Sequence, residues 1–167
     1  MTKNGNSIVR YPPPPWKRLP ASLVGGLLQV GFAENSNLII VLSHSGRGIF
    51  DCRTGASIAR DYDETDAVFD TICLTVQGFG LLAGQPIRTA GLYGGGLPLS
   101  TADGWFLKDQ VMTSSIRSIV LAPPHRREQE DVVIGNEGIC ELRAFGFSDT
   151  GLSLLIATSC DLMLFTR

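Results

Sequence analysis

The chain has 167 residues, enough for one domain with a substantial core, and 44% of them are apolar against 18% charged. A formal net charge of -2 argues against both a globally basic nucleic-acid binder and a polyanionic tail. No apolar run reaches about 18 residues and no apolar core follows the basic residues at the start, so the sequence predicts a soluble, cytoplasmic chain without a membrane or secretory segment.

Residues 1–20 read as an extended N-terminal arm, and 21–167 as a single all-β domain. Tyr11–Pro15 (YPPPP) must be extended, because proline fixes its own φ and restricts the residue before it. Tyr11 and Trp16 are the expected anchors of an arm laid across the domain. Arg10, Lys17 and Arg18 make it the most basic part of the first fifty residues. A PxxP ligand for an adaptor domain is the functional alternative.

Leu27–Asp61 organises the fold. Its apolar runs Leu27–Phe32, Asn37–Ser43, Gly48–Cys52 and Ser57–Arg60 are separated by the turns Ala33–Ser36, His44–Arg47 and Arg53–Gly55. Short runs joined by Gly- or Asn-bearing loops predict an antiparallel meander. Leu38–Leu42 (LIIVL) is continuously apolar, which predicts a central strand buried on both faces.

Asp61–Asp70 (DYDETDAVFD) concentrates acids without a base, and Thr65 sits near the start of a short helical turn. Thr71–Val76 is β-branched and predicts a strand; Gly78–Gly84 predicts a short strand or hairpin edge. Gly91–Gly96 is too glycine-rich for a regular element and reads as a loop, with the flexibility to wrap a phosphate but without a P-loop's Gly-Lys-Ser/Thr. Strands are expected at Trp105–Leu107, Ser115–Leu121 and from Val132, with a charged loop at His125–Asp131 between the last two. The end of the chain predicts three more, Glu141–Phe147, Leu152–Thr158 and Leu162–Thr166. Offset by 115 positions, this final meander echoes the opening one, with Gly146-Phe147 falling on Gly31-Phe32.

A strand ending in GFS, a DTG turn, an apolar LLIAT strand and a closing LMLFTR strand resemble a blade of a WD- or quinoprotein-type β-propeller, and the opening stretch with its closing TG resembles one too. No Gly-His pair opens either unit and no Trp-Asp pair closes one. A seven-bladed ring needs roughly 280 residues or more. The resemblance therefore implies a mainly β fold of antiparallel meanders, either a reduced propeller of about four blades or an open β-sandwich or barrel.

Candidate chemistry is sparse. Ser43, His44, Ser45 and Asp51 carry the atoms of a nucleophilic set for a loop-assembled hydrolase, but no strand-turn-helix elbow presents them. Cys73 with His125 or His44 would make a thiol nucleophile, but nothing positions the pair. Cys52, Cys73, Cys140 and Cys160 are widely and irregularly spaced and read as free core thiols, with no metal-ligand spacing among them or the two histidines. Arg117, Arg126, Arg127 and Arg143 are too few for a nucleic-acid stripe. No cofactor, metal, nucleic acid or membrane is expected.

The remaining candidate is the acidic run. Asp61, Tyr62, Asp63, Glu64, Asp66 and Asp70, beside Phe69, form a field of one sign able to steer and anchor a basic protein surface. The expectation is a non-enzymatic protein-binding domain, most sharply a neutraliser of a basic partner such as a nuclease toxin. In size and charge logic it is similar to small bacterial immunity proteins. A scaffold or accessory domain of a larger assembly is the alternative.

Overall fold

The computed structural model describes residues 11–113, 116–125, 131–136 and 138–167. The strands are β1 (Lys17–Arg18), β2 (Ser22–Leu23), β3 (Leu27–Phe32), β4 (Leu38–Ser43), β5 (Gly46–Asp51) and β6 (Ser57–Asp61). A single helical turn, α1 (Thr65–Val68), is followed by β7 (Phe69–Asp70), β8 (Thr75–Gln77), β9 (Pro86–Arg88) and β10 (Ala90–Gly91). The chain continues through β11 (Phe106–Thr113), β12 (Ile116–Ala122), β13 (Val132–Asn136), β14 (Leu142–Phe147), β15 (Ser153–Thr158) and β16 (Asp161–Thr166).

These strands form separate antiparallel sheets. Sheet I is β10-β3-β4-β5-β6, sheet II is β7-β8-β9, and sheet III is β11-β12-β13. Sheet IV is β14-β15-β16, completed by β1 and β2, which both pair with β16.

Side-chain alternation sets how the sheets stack. In β4, Ile39 and Val41 enter a core shared with Leu155, Ala157, Leu162 and Leu164 of sheet IV. Ile40 and Leu42, one residue out of phase, enter a second core with Val76 and Ile87 of sheet II. In sheet IV, Leu154, Ile156, Met163 and Phe165 face Leu107, Ile119, Leu121 and Ile134 of sheet III. The layers therefore run II, I, IV, III. Sheets I and IV are covered on both faces, which is why LIIVL and LLIA are uninterrupted apolar runs; each fully buried Leu or Ile contributes about 1.5–3 kcal/mol.

This corrects the expected architecture. The fold is mainly β, but the sheets are open meanders and none closes into a propeller or a barrel. Among the described residues no apolar cluster joins sheet II to sheet III, so the row has two ends. The echo itself is real in the geometry. β14, β15 and β16 each begin and end 115 positions after β3, β4 and β5. Both units carry a register shift at the same place, Leu27/Gln29 and Leu142/Ala144. Gly31 and Gly146 are equivalent as well: a Cβ on Gly31 would strike the Arg88 carbonyl oxygen, and one on Gly146 the side chain of Leu97. A repeated meander is a property of two sheets; ring closure needs a further interface that these sheets do not make.

Several local expectations also change. Cys140 and Cys160 form a disulfide, whereas Cys52 and Cys73 are free. The bond follows from strand pairing: the Ser159 N–H donates to the Glu141 carbonyl, which brings the start of β14 beside the β15–β16 turn. Thr71–Leu74 is a turn rather than a strand, because Asp70 Oδ1 accepts the N–H groups of Ile72 and Cys73. Gly80–Leu82 is a 3-10 turn. Trp16 is an anchor, 3% exposed and packed edge-on to Trp105, whereas Tyr11 is 89% exposed. Residues 126–130 of the charged loop lie outside the described residues, as do residues 1–10.

Candidate functional site: the acidic turn at the edge of sheet I

Among the described residues β6 is an outer strand of sheet I, paired to β5 on one side only. The chain leaves it at Asp61 and re-enters the core at Val68 and Phe69, which are buried between sheets I and II. Those two apolar residues pin the far end of the segment. The polar residues between them are forced outward: Tyr62 is 74% exposed, and Asp63, Glu64 and Asp66 are turned toward solvent beside it.

The expected acidic set is brought together only in part. Asp61 faces inward, where Arg47 Nε donates to its Oδ2 at 2.7 Å and Arg47 Nη2 lies 2.6 Å from the same oxygen. That hydrogen bond holds the Asp61 carboxyl below the usual carboxylate range, and the Asp63 N–H donating to Oδ1 adds to the effect. Asp63 shares the same guanidinium at 3.3 Å. Arg47 itself is only 7% exposed, donates to the Gln77 carbonyl and lies 4.8 Å above the Phe79 ring. It is a bolt between sheets I and II, and the acidic turn is built on its outer end. Asp70 is a turn brace: the N–H groups of Cys73 and Ile72 lower its carboxyl pKa. Glu64 and Asp66 are the two acids of the run whose side chains make no hydrogen bond or ion pair among the described residues.

Sequence reasoning missed Arg47 and Arg60. Arg60 places its guanidinium 5.2 Å from the Tyr62 ring centre and donates to Ser45 Oγ at 3.0 Å. The signal for Arg47 was present in the hairpin: β5 and β6 flank a short turn, and their register sets Arg47 opposite Asp61. The run is thus less negative than its letters suggest, and its unneutralised acids are Glu64 and Asp66.

Several of the other candidates are occupied by structure. Ser43 Oγ donates to the Gly46 carbonyl at 3.1 Å and Asp51 Oδ1 accepts the Arg53 N–H at 2.7 Å, so each closes its own turn. In the Gly91–Gly96 loop, the N–H groups of Gly91, Leu92 and Gly94 donate to carbonyls of Gly94, Leu28 and Gly91, leaving none of the three for a phosphate. Burial, with the nearby Asp51 charge, pushes the Cys52 thiol up to about 12, which removes it as a nucleophile at neutral pH. Among the described residues no group of three or more His, Cys, Asp or Glu side chains is arranged to hold a metal ion. No helix among them is long and apolar enough to cross a membrane.

A feature with no sequence signal is a groove of about 870 Å³ where the two echoing turns meet. Asn35 N–H donates to Asp149 Oδ2 at 3.0 Å across it. Phe32, Ile87, Leu97 and Phe147 line it, with Glu34 and Arg88 also contributing. Its residues come from sheets I, II and IV and from the loop before β11, so only the stacking order assembles it.

Comparison with protein-family models, curated proteins and solved structures finds no match to this chain. The blade resemblance and the likeness to immunity proteins therefore have no family behind them, and the open stack of sheets removes the first on its own.

Proposed function

We propose that this chain is a non-enzymatic protein-binding domain that takes an extended basic segment of its partner along β6. The observation that carries this reading is the adjacency of a strand edge left open among the described residues, Ser57–Asp61, to the exposed and unpaired acids Glu64 and Asp66 and the exposed ring of Tyr62. An outer strand offers backbone donors and acceptors to an added strand. Backbone pairing would supply affinity without choosing a sequence. Glu64 and Asp66 would choose for Lys or Arg, and Tyr62 offers the rigid amphipathic surface typical of binding hot spots. If the partner's basic segment is also what it uses to grip a polyanion, occupation of β6 would block that use, which is how such a domain would neutralise it.

The test uses a synthetic strand-forming peptide with alternating Lys and Val as the probe. It should bind the wild-type chain with affinity that falls steeply as salt rises. Glu64→Lys with Asp66→Lys should weaken it by about tenfold or more, since a charge-assisted hydrogen bond is worth roughly 1.5–3 kcal/mol. A backbone N-methylated peptide of the same charge should bind far more weakly. Equal binding by the N-methylated peptide would remove strand addition, and equal binding by the double variant would remove the acidic selector.

A further inference from the structure

At the opposite flank of the sheet I–sheet IV interface lies a groove of about 590 Å³. β1 forms one wall, the β5–β6 turn carrying Arg53 another, and Arg167 follows the end of β16. The lining is Pro14 and Pro15, the edge of Trp16, and the cations Lys17, Arg53 and Arg167, with Thr166 between; none of these is acidic.

The three cations are not equivalent. Arg167 is spent: Nη1 and Nη2 donate to Asp103 at 2.6 and 2.8 Å, and Nε donates to the Gly151 carbonyl at 2.7 Å. Its guanidinium lies 5.0 Å from the Trp16 ring centre, so it acts as fixed scaffold. Lys17 and Arg53 have no ion pair and no side-chain hydrogen bond among the described residues. They come from different sheets, in a chain whose net charge is -2. Both are exposed, so the groove with proline walls offers an anionic guest two cations that nothing else among the described residues compensates.

We propose that this groove binds a phosphate monoester carried on a small apolar body. The dianion matches the two unpaired charges. Its tetrahedral oxygens let an ammonium and a guanidinium approach from separate walls, and the Arg53 fork suits bidentate binding of phosphate. Pro14 and Pro15, above the buried ring of Trp16, take the apolar body. The site is independent of the acidic turn and survives or fails without it.

Calorimetric titration of the full chain with phenyl phosphate tests this, with inorganic phosphate and phthalate as parallel probes. Wild type should bind phenyl phosphate saturably at one site and more tightly than either comparison probe. Lys17→Ser with Arg53→Ser should bind about a hundredfold more weakly, taking roughly tenfold for each charge-assisted hydrogen bond removed. Circular dichroism and melting of that variant should match wild type, because neither side chain supports the fold. Absence of saturable binding in wild type, or unchanged binding in the double variant, overturns the site. Phthalate bound as tightly as phenyl phosphate overturns the assignment to phosphate, and inorganic phosphate bound as tightly overturns the role of the apolar wall.

Discussion

Gln29 offers the sharpest test of the packing. It lies in β3 opposite Gly91 of β10, is 0% exposed, and neither Oε1 nor Nε2 has a hydrogen-bond partner. Its amide is pressed against Gly91, where even a Cβ would collide with Oε1. A buried polar group without a partner costs about 1–3 kcal/mol, and an apolar residue of the same length removes that cost. Gln29→Met keeps the unbranched shape, so repacking should take back well under about 1.5 kcal/mol. The expected result is a gain of about 1–2 kcal/mol, read as a higher urea midpoint at unchanged slope and a melting temperature raised by roughly 2–4 °C per kcal/mol. Gln29→Ala is the control. It removes the same polar atoms but leaves a void, and should fall about 2–3 kcal/mol below the Met variant. If Gln29→Met is instead less stable than wild type by more than about 1 kcal/mol, the amide is satisfied in solution by a buried water, and the account of this layer is wrong.

Three further outcomes are expected. Reducing the Cys140–Cys160 bond, or replacing Cys140 by Ser, frees the unfolded chain of a closed loop spanning 20 positions and should cost about 3 kcal/mol; an unchanged urea midpoint under reductant would refute it. In a chromogenic thiol assay the exposed Cys73 should react at once, and Cys52, buried with its thiol pushed up to about 12, only on unfolding; two fast thiols in the native chain would contradict the core between sheets I and IV. The carboxyls of Asp61, Asp70 and Asp103 are all held below their ordinary range, by Arg47, by the N–H groups of Cys73 and Ile72, and by Arg167 respectively. A depressed folded-state pKa means fewer protons bound in the native state. Their contribution is complete above the unfolded Asp value of about 3.9 and is lost as pH falls from there through the depressed values. Asp103→Asn should therefore flatten the acid limb of a stability-against-pH profile, and an unaltered slope would refute the Arg167 pairing.

What could be read from the letters was whatever depends on one strand at a time. LIIVL announced a strand covered on both faces, and β4 is one. The echo at an offset of 115 survived down to the matching register shifts, because a shift, a turn and a buried glycine are all local demands. What could not be read depends on which strand lies beside which. The Cys140–Cys160 bond has a spacing like no disulfide framework, yet the β14–β15 pairing brings its two ends together. Ring closure failed for the same reason, since nothing local distinguishes a blade in a ring from a meander in an open stack. The acidic run shows the limit most clearly. Read in one dimension, Asp61, Asp63, Glu64, Asp66 and Asp70 are equivalent; in the sheet, Arg47 takes Asp61 and shares Asp63, and a turn takes Asp70.

The repeat also explains why the two proposed sites have opposite sign. β6 adds to β5 at the outer side of sheet I, and β1 adds to β16, the counterpart of β5, at the outer side of sheet IV. The two strands hold equivalent places in the two units, but their sequences are unrelated, because β1 comes from the arm and β6 from the hairpin. Repetition dictated the inner strands, whose side chains must fill shared cores. It did not constrain these outer ones, whose side chains meet solvent. One outer strand leads into Glu64 and Asp66, and the other is itself Lys17-Arg18. Charge could vary at those two edges without disturbing a core, and unneutralised charge of opposite sign is found beside each of them.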